Sequence, residues 1–452
     1  MQTFSNSGIH KSAAFLLLSL FGLSFLSPVA CAQVSFEEND SKNWSTHFQA
    51  TTVTQVPTAF HSPYAGPNSL QTGFQIPSSL TSTLFIGHKL WQNGYIFVNP
   101  EESAGSGLSY THGIAAFPNG EIYRVDDPKP VLNLSRFFVQ QDFGFGGGKE
   151  KIDDDLNQFE AEKDIRRLTL VAGKFSLNDY LDNNAYAHDP RTQFLNWALM
   201  DNGAWDYAAD VRGYTWGLFT EIHLENWSYR FALVQVPMVA NGADLDGNLT
   251  QAHGENLEAE YRYQFSSHPG KVRVLGFANQ AKMGSYAESL ALAKSTSTTP
   301  DITATRRYRT KYGFGLNVEQ ELTKDLGLFA RIGWNDGSTE SFVFTEIDRS
   351  FSVGASLKGT SWHRSDDLFG LALIIDGLSE EHQDYLKAGG MGFLLGDGNL
   401  NYAPEEVVEL FYSYQLFKSL ALSLDLQGIN HPGYNSDRGP LAVYGFRVHY
   451  EI

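Results

Sequence analysis

The chain has 452 residues, a formal net charge of −18 at pH 7, 42 glycines, 13% aromatic residues and a mean hydropathy of −0.27. So acidic a chain repels a phosphate backbone, which argues against a nucleic acid as partner. Beyond residue 32 no stretch approaches the roughly 20 apolar residues of a membrane-spanning helix. The single cysteine, Cys31, excludes a disulfide framework and a thiolate metal site.

Taken in chain order, the first element is an export signal. Lys11 precedes an apolar run from Ala13 to Leu26, then Pro28 and Ala30-Cys31-Ala32. A charged start, an apolar core and an A-x-A site predict a signal peptide over 1–32, cleaved after Ala32. Cleavage there removes Cys31. The alternative is a lipoprotein signal using Cys31, but Pro28 stands where such a signal usually has Leu. No composition break after residue 32 marks a second domain, so 33–452 is expected to form one.

Two polar stretches and a block dense in motifs come next. In Phe117 to Asp126, Glu121 and Arg124 carry opposite charges and could face each other across a narrow passage, with Arg136 on a following strand; the plain alternative is a surface turn at Asn119-Gly120. Asp153-Asp154-Asp155 reads as a solvated loop, or else as a cation-mediated contact with lipopolysaccharide. An EF-hand fails there for want of the turn glycine. Gly146-Gly147-Gly148-Lys149 lacks the Ser or Thr of a phosphate-binding loop. From Lys174 to Asp206 the density of Asn, Asp, Arg, Tyr and Trp is too high for a strand facing lipid, and Thr192 to Met200 is expected to form a short helix. Such a segment either folds inward to narrow a lumen or is a packing plug in which Asp189 and Arg191 merely pair. On residues alone the two readings stand level.

The rest of the chain alternates. Trp227, Tyr229, Phe231 and Leu233 interleave with Ser228, Arg230 and Ala232; Tyr312, Phe314, Leu316 and Val318 oppose Lys311, Asn317 and Glu319. The last segment sets Ala442, Tyr444, Phe446, Val448, Tyr450 and Ile452 against Arg447, His449 and Glu451. Each is a strand with one apolar and one wet face. Counting from Trp44 to Ile452 gives about 16 such segments, an even number, with short and long linkers in alternation, as a closed transmembrane barrel requires. A soluble sandwich would also alternate, with shorter strands and its apolar faces inward. The predicted fold is therefore all-β: one closed antiparallel barrel, lipid outside and water within.

The block Asp189-Pro190-Arg191-Thr192-Gln193-Phe194-Leu195-Asn196-Trp197-Ala198-Leu199, with Phe117-Pro118-Asn119-Gly120-Glu121, Gly396-Asp397-Gly398-Asn399-Leu400 and Asn430 to Pro440, resembles the signatures of the carbohydrate-selective porins of the OprB type. The resemblance runs from about Ser109 to Ile452 and is weak from Gln33 to Ser106; Ile452 replaces the commoner terminal phenylalanine. It implies an outer-membrane barrel of 16 strands over 33–452, inward-folded constricting segments and passive diffusion of small sugars, in a Gram-negative outer membrane beside lipid and lipopolysaccharide. By motif it places Glu121, Arg124, Asp189, Arg191, Asn196, Trp197 and Trp205 at the constriction, with Arg136 beside them. It implies no cofactor and no metal, and it leaves a homotrimer open.

Two rival functions share the barrel. An outer-membrane lipase or protease is one, but no G-x-S-x-G, S-x-x-K or H-E-x-x-H occurs. His188, His363 and His382 read as loop residues rather than ligands. A non-conducting structural barrel is the other, since Arg307, Arg309, Lys311, Glu319 and Glu321 could build a salt-bridged plug.

Overall fold

The computed structural model describes residues 43–122 and 128–452; the expected signal peptide and Arg124 lie outside the described residues. The strands are β1 (Trp44–Pro57), β2 (Ser78–Trp91), β3 (Gly94–Gly105), β4 (Val131–Gly144), β5 (Lys149–Ile152), β6 (Ala161–Asp164), β7 (Arg167–Phe175), β8 (Thr215–His223) and β9 (Trp227–Val234). They continue with β10 (His253–Phe265), β11 (His268–Met283), β12 (Arg307–Glu321), β13 (Leu326–Asn335), β14 (Arg349–Gly359), β15 (Arg364–Gly377), β16 (Glu405–Phe417), β17 (Leu420–Asn430) and β18 (Leu441–Glu451). Among the described residues 16 of these close into one antiparallel barrel, in which β7 pairs with β4 and β18 returns to β1; β5 and β6 form a separate hairpin.

Parity along each strand sets the two faces. In β18, Val443, Arg447 and His449 are buried inside, while Tyr444 and Phe446 are 55% and 40% exposed outside. The predicted faces of β9, β10 and β12 hold in the same way. Closure satisfies both edges of the sheet: Val53 lies opposite Arg447, and the Phe48 amide donates to the Ile452 carbonyl at 2.9 Å. Aromatic side chains cluster at both rims. Trp227, Tyr229 and Tyr261 stack near the short-turn rim, and Tyr312, Phe314 and Trp334 near the other, where amphipathic rings suit the headgroup layer.

The connections divide cleanly. Turns 92–93, 224–226, 266–267, 322–325, 360–363 and 418–419 lie at one rim, together with Trp44 and Glu451. The long segments 58–77, 106–130, 176–214, 235–252, 284–306, 336–348, 378–404 and 431–440 lie at the other. The exception is 145–166, which carries the β5–β6 hairpin on the short-turn side. Asp153 to Asp155 sit at its tip, at the rim opposite the long loops.

The apolar core lies inside the barrel, beneath inward-folded segments. Leu181, Phe194, Leu199 and Ala208 of 176–214 are buried with Ala115 and Phe117 of 106–122 and Phe342 and Phe344 of 336–348. These segments are bolted to polar side chains of the inner wall. Arg331 pairs with Asp182 at 2.8 Å and donates to the Leu199 carbonyl at 2.8 Å. Arg447 donates to the carbonyls of Pro190 and Gln193 at 2.6 and 2.7 Å. Gly315 and Gly333 are register partners on β12 and β13, and the Asn202 amide lies against both; a Cβ at Gly333 would overlap that amide.

The expected helix over Thr192 to Met200 shrinks to α1 (Trp197–Met200). The physical reason is a competing acceptor: the amides of Leu195 and Asn196 donate to Glu409 on β16 instead of to a preceding turn. Two further helices, α2 (Tyr286–Thr296) and α3 (Glu380–Lys387), fold within the long segments. His382 of α3 is buried and bonded to Asp348 at 3.0 Å and Tyr286 at 3.1 Å, a joint between loops.

Candidate functional site

The inward segments leave an off-centre passage. A cavity of 760 Å³ is lined on one side by the inner faces of β2, β3 and β4 and on the other by 176–214; this is the size of an ordinary small-molecule site. On the strand side, Phe85, Tyr95, Phe97 and Phe138 present rings. Asp179, Tyr180, Asn183, His188, Asp189, Arg191 and Trp197 face them from the loop. A second space of 480 Å³ adjoins it at Asn183, along the short-turn half of β7 to β11. Its wall is a lattice of paired charges: Arg230 with Glu221, Glu258 and Glu260, and Arg273 with Glu260 and Glu319.

Two charge pairs stand in the lining of the larger cavity. Arg191 donates from Nε to Glu121 at 2.8 Å and lies 3.9 Å from Glu101. Glu121 also accepts from Thr81, and Glu101 accepts from Thr83 and the Tyr214 hydroxyl, each at 2.8 Å. Arg136 grips Asp179 with two nitrogens, Nε at 2.7 Å, and lies over the Tyr214 ring at 5.2 Å. Burial works against the charge on Arg191, but Glu121, Asp189 and Glu101 outweigh it and raise its pKa. Burial likewise works against the Asp189 carboxylate, yet Arg191, its own backbone amide and Thr192 hold the pKa below the usual value. Burial, seconded by Arg331, pushes the pKa of the His188 imidazole down against the pull of Asp189, Asp182 and Asp179. Arg136 Nη1 and His188 Nδ1 have no hydrogen-bond partner within the protein. Opposed charges of both signs beside free polar atoms and aromatic faces hinder ions and suit a neutral, hydroxyl-rich solute.

A family model described as "Carbohydrate-selective porin, OprB family" matches residues 79–451. The chain belongs to this family. The high-pH structure of Pseudomonas putida OprB shares its fold at 15% identity, covering 91% of this chain and 95% of that one with a TM-score of 0.68. The outer membrane channel DcaP of Acinetobacter baumannii covers 90% of this chain and 97% of that one at 9% identity and TM-score 0.48. No curated protein matches by sequence. Family and barrel together make the molecule a channel of the Gram-negative outer membrane, with the short turns periplasmic and the long loops external. Sugars are the permeants that membership implies.

In this porin the expected constriction residues separate into two sets. Glu121, Arg136, Asp189, Arg191 and Trp197 line the cavity. Asn196 and Trp205 are not part of that lining. Asn196 is fully buried against the wall: it bonds Gln427 at 3.2 Å and caps α1 by accepting from the Ala198 amide at 3.0 Å. Trp205 donates to Asn256 at 3.0 Å and packs on Tyr207. Both are anchors, because a wall of inward polar residues draws their donors away from the passage. Among the described residues, the charge facing Glu121 is Arg191, 70 positions away. Asp189 receives the Arg191 amide at 3.0 Å rather than the guanidinium, so the pairing expected of a mere plug is corrected.

Glu101, Asp179, Tyr214 and the ringed wall of Tyr95, Phe97 and Phe138 escaped sequence reasoning. The signal was there in part. Tyr95 to Val98 is apolar on both faces, and a barrel strand greasy on both sides must set aromatics in the lumen.

Proposed function

We propose that this porin passes small neutral sugars passively, and that selection occurs where Glu121–Arg191 and Arg136–Asp179 confront each other across the ringed wall. The observation that carries this reading is one cavity that gathers Arg136, Asp179, Asp189 and Arg191 with Phe97, Phe138 and Trp197 in its lining. A sugar entering loses water contacts. It regains them from fixed donors and acceptors, and its C–H faces meet rings. Each contact is weak, so the solute is held well enough to enter and loosely enough to leave. Export through cleavage after Ala32 belongs to the same reading.

Liposome swelling tests it. Vesicles holding the purified porin should swell faster in isotonic glucose than in an amino acid of equal size, and glucose should reduce ion current through single channels in planar bilayers. Equal swelling rates, with no reduction of current, would remove the sugar preference.

A further inference from the structure

The 145–166 insertion breaks the rule that periplasmic turns are short. Its base is a run of three glycines, Gly146, Gly147 and Gly148, at φ +98°, +83° and +92°, a path that side chains would resist. From there the β5–β6 hairpin sends its tip, 153–160, back into the barrel mouth. The hairpin is fastened at three places on the inner wall. Phe159 stacks on Tyr95 with centroids 5.0 Å apart and lies 5.8 Å from Phe97. Lys163 pairs with Asp142 at 2.6 Å, and Asp154 with His47 at 3.1 Å.

This placement continues the passage. Phe138, Phe97, Phe159 and Tyr95 form an unbroken strip of rings, each centroid 5.0 to 5.8 Å from the next along the row. Leu156, Asn157, Gln158 and Phe159 line the same cavity as Glu121 and Arg191. Asn157 Oδ1 has no hydrogen-bond partner in the protein, and the residue lines the cavity. A buried polar atom is ordinarily satisfied, and a turn of this side chain toward the cavity would let a hydroxyl-bearing solute satisfy it.

We propose that the hairpin tip is a second sugar-contacting station at the periplasmic exit, in which Phe159 extends the aromatic strip and Asn157 accepts a sugar hydroxyl. The inference rests on the sugar-passing reading above. It makes the β4–β7 connection a determinant of which hexose leaves the constriction readily.

The test uses the full porin in planar bilayers, with glucose as probe. Leu156→Cys, treated with a charged methanethiosulfonate reagent, should lose conductance in steps while the treated parent does not. Phe159→Ala and Asn157→Gly should each weaken glucose block by roughly three- to tenfold, chiefly through faster release, while keeping the heat-modifiable gel migration of a folded barrel. Full chemical modification of Leu156→Cys with unchanged current would take the tip out of the path and overturn the proposal. So would glucose block equal to the parent's in both other variants, in which case the sugar reading stands alone. A parent that glucose does not block at all overturns both.

Discussion

Arg191 joins the motif block to the far wall. It holds Glu121 and approaches Glu101 while the chain around it is fixed by other bonds. Arg191→Ala should therefore leave the loop in place and strip Glu121 of its guanidinium partner. Reversal potentials in a salt gradient should shift toward cation selectivity, and glucose block should weaken roughly tenfold, the loss of one charge-assisted hydrogen bond. Trp197 differs, since its ring is stacked on Phe344 at 4.6 Å and on Tyr207. Trp197→Ala should weaken glucose block too, but also loosen the loop by about 3–5 kcal/mol, visible as faster proteolysis of 176–214. Asp189 gives a pH signature. Its folded pKa lies below the ordinary value, so its hold on the Arg191 amide and Thr192 is complete above about pH 4 and fades as the pH falls through the folded pKa. Glucose block should be flat from about pH 8 to 5 and decline below about 4, and Asp189→Asn should remove that part of the decline.

The 176–214 segment is rigid because the wall was shaped for it. Asn202 rests on the Gly315–Gly333 pair, donates to the Ile332 carbonyl at 3.0 Å and accepts from the Ala204 amide at 3.1 Å. Gly333→Ala should drive the amide off its seat and free the segment while the strands stay paired. Single channels should then show higher mean conductance and more open-state noise, with gel migration unchanged. A quiet channel of parental conductance would mean the seat is dispensable. The same segment marks where local reading stops. Nothing within Thr192 to Asn196 announces that its amides will find Glu409, more than 200 positions later. A helix was the reasonable local expectation, and a distant carboxylate overruled it.

For the whole molecule, what was legible is what each strand decides for itself. Alternation is local, so the faces of β9, β10, β12 and β18 and the even strand number could be read from residues. What crosses the lumen could not. The barrel brings Arg191 to Glu121 from 70 positions away. Asn196 and Trp205 have the composition of a sugar site, yet inward Gln427 and Asn256 claim their polar atoms. Closure itself is testable. Deleting 441–452 would leave β1 and β17 with unpaired edges in hydrocarbon, a cost of several kcal/mol for each unsatisfied group. No heat-modifiable species should assemble.

Four of the bolts stand away from the ringed wall. Arg331, Glu409, Gln427 and Arg447, on β13 and β16 to β18, secure the inward segments, whereas β2 to β4 carry rings in the cavity lining. Rewriting those rings on three neighbouring staves would leave these four clamps untouched.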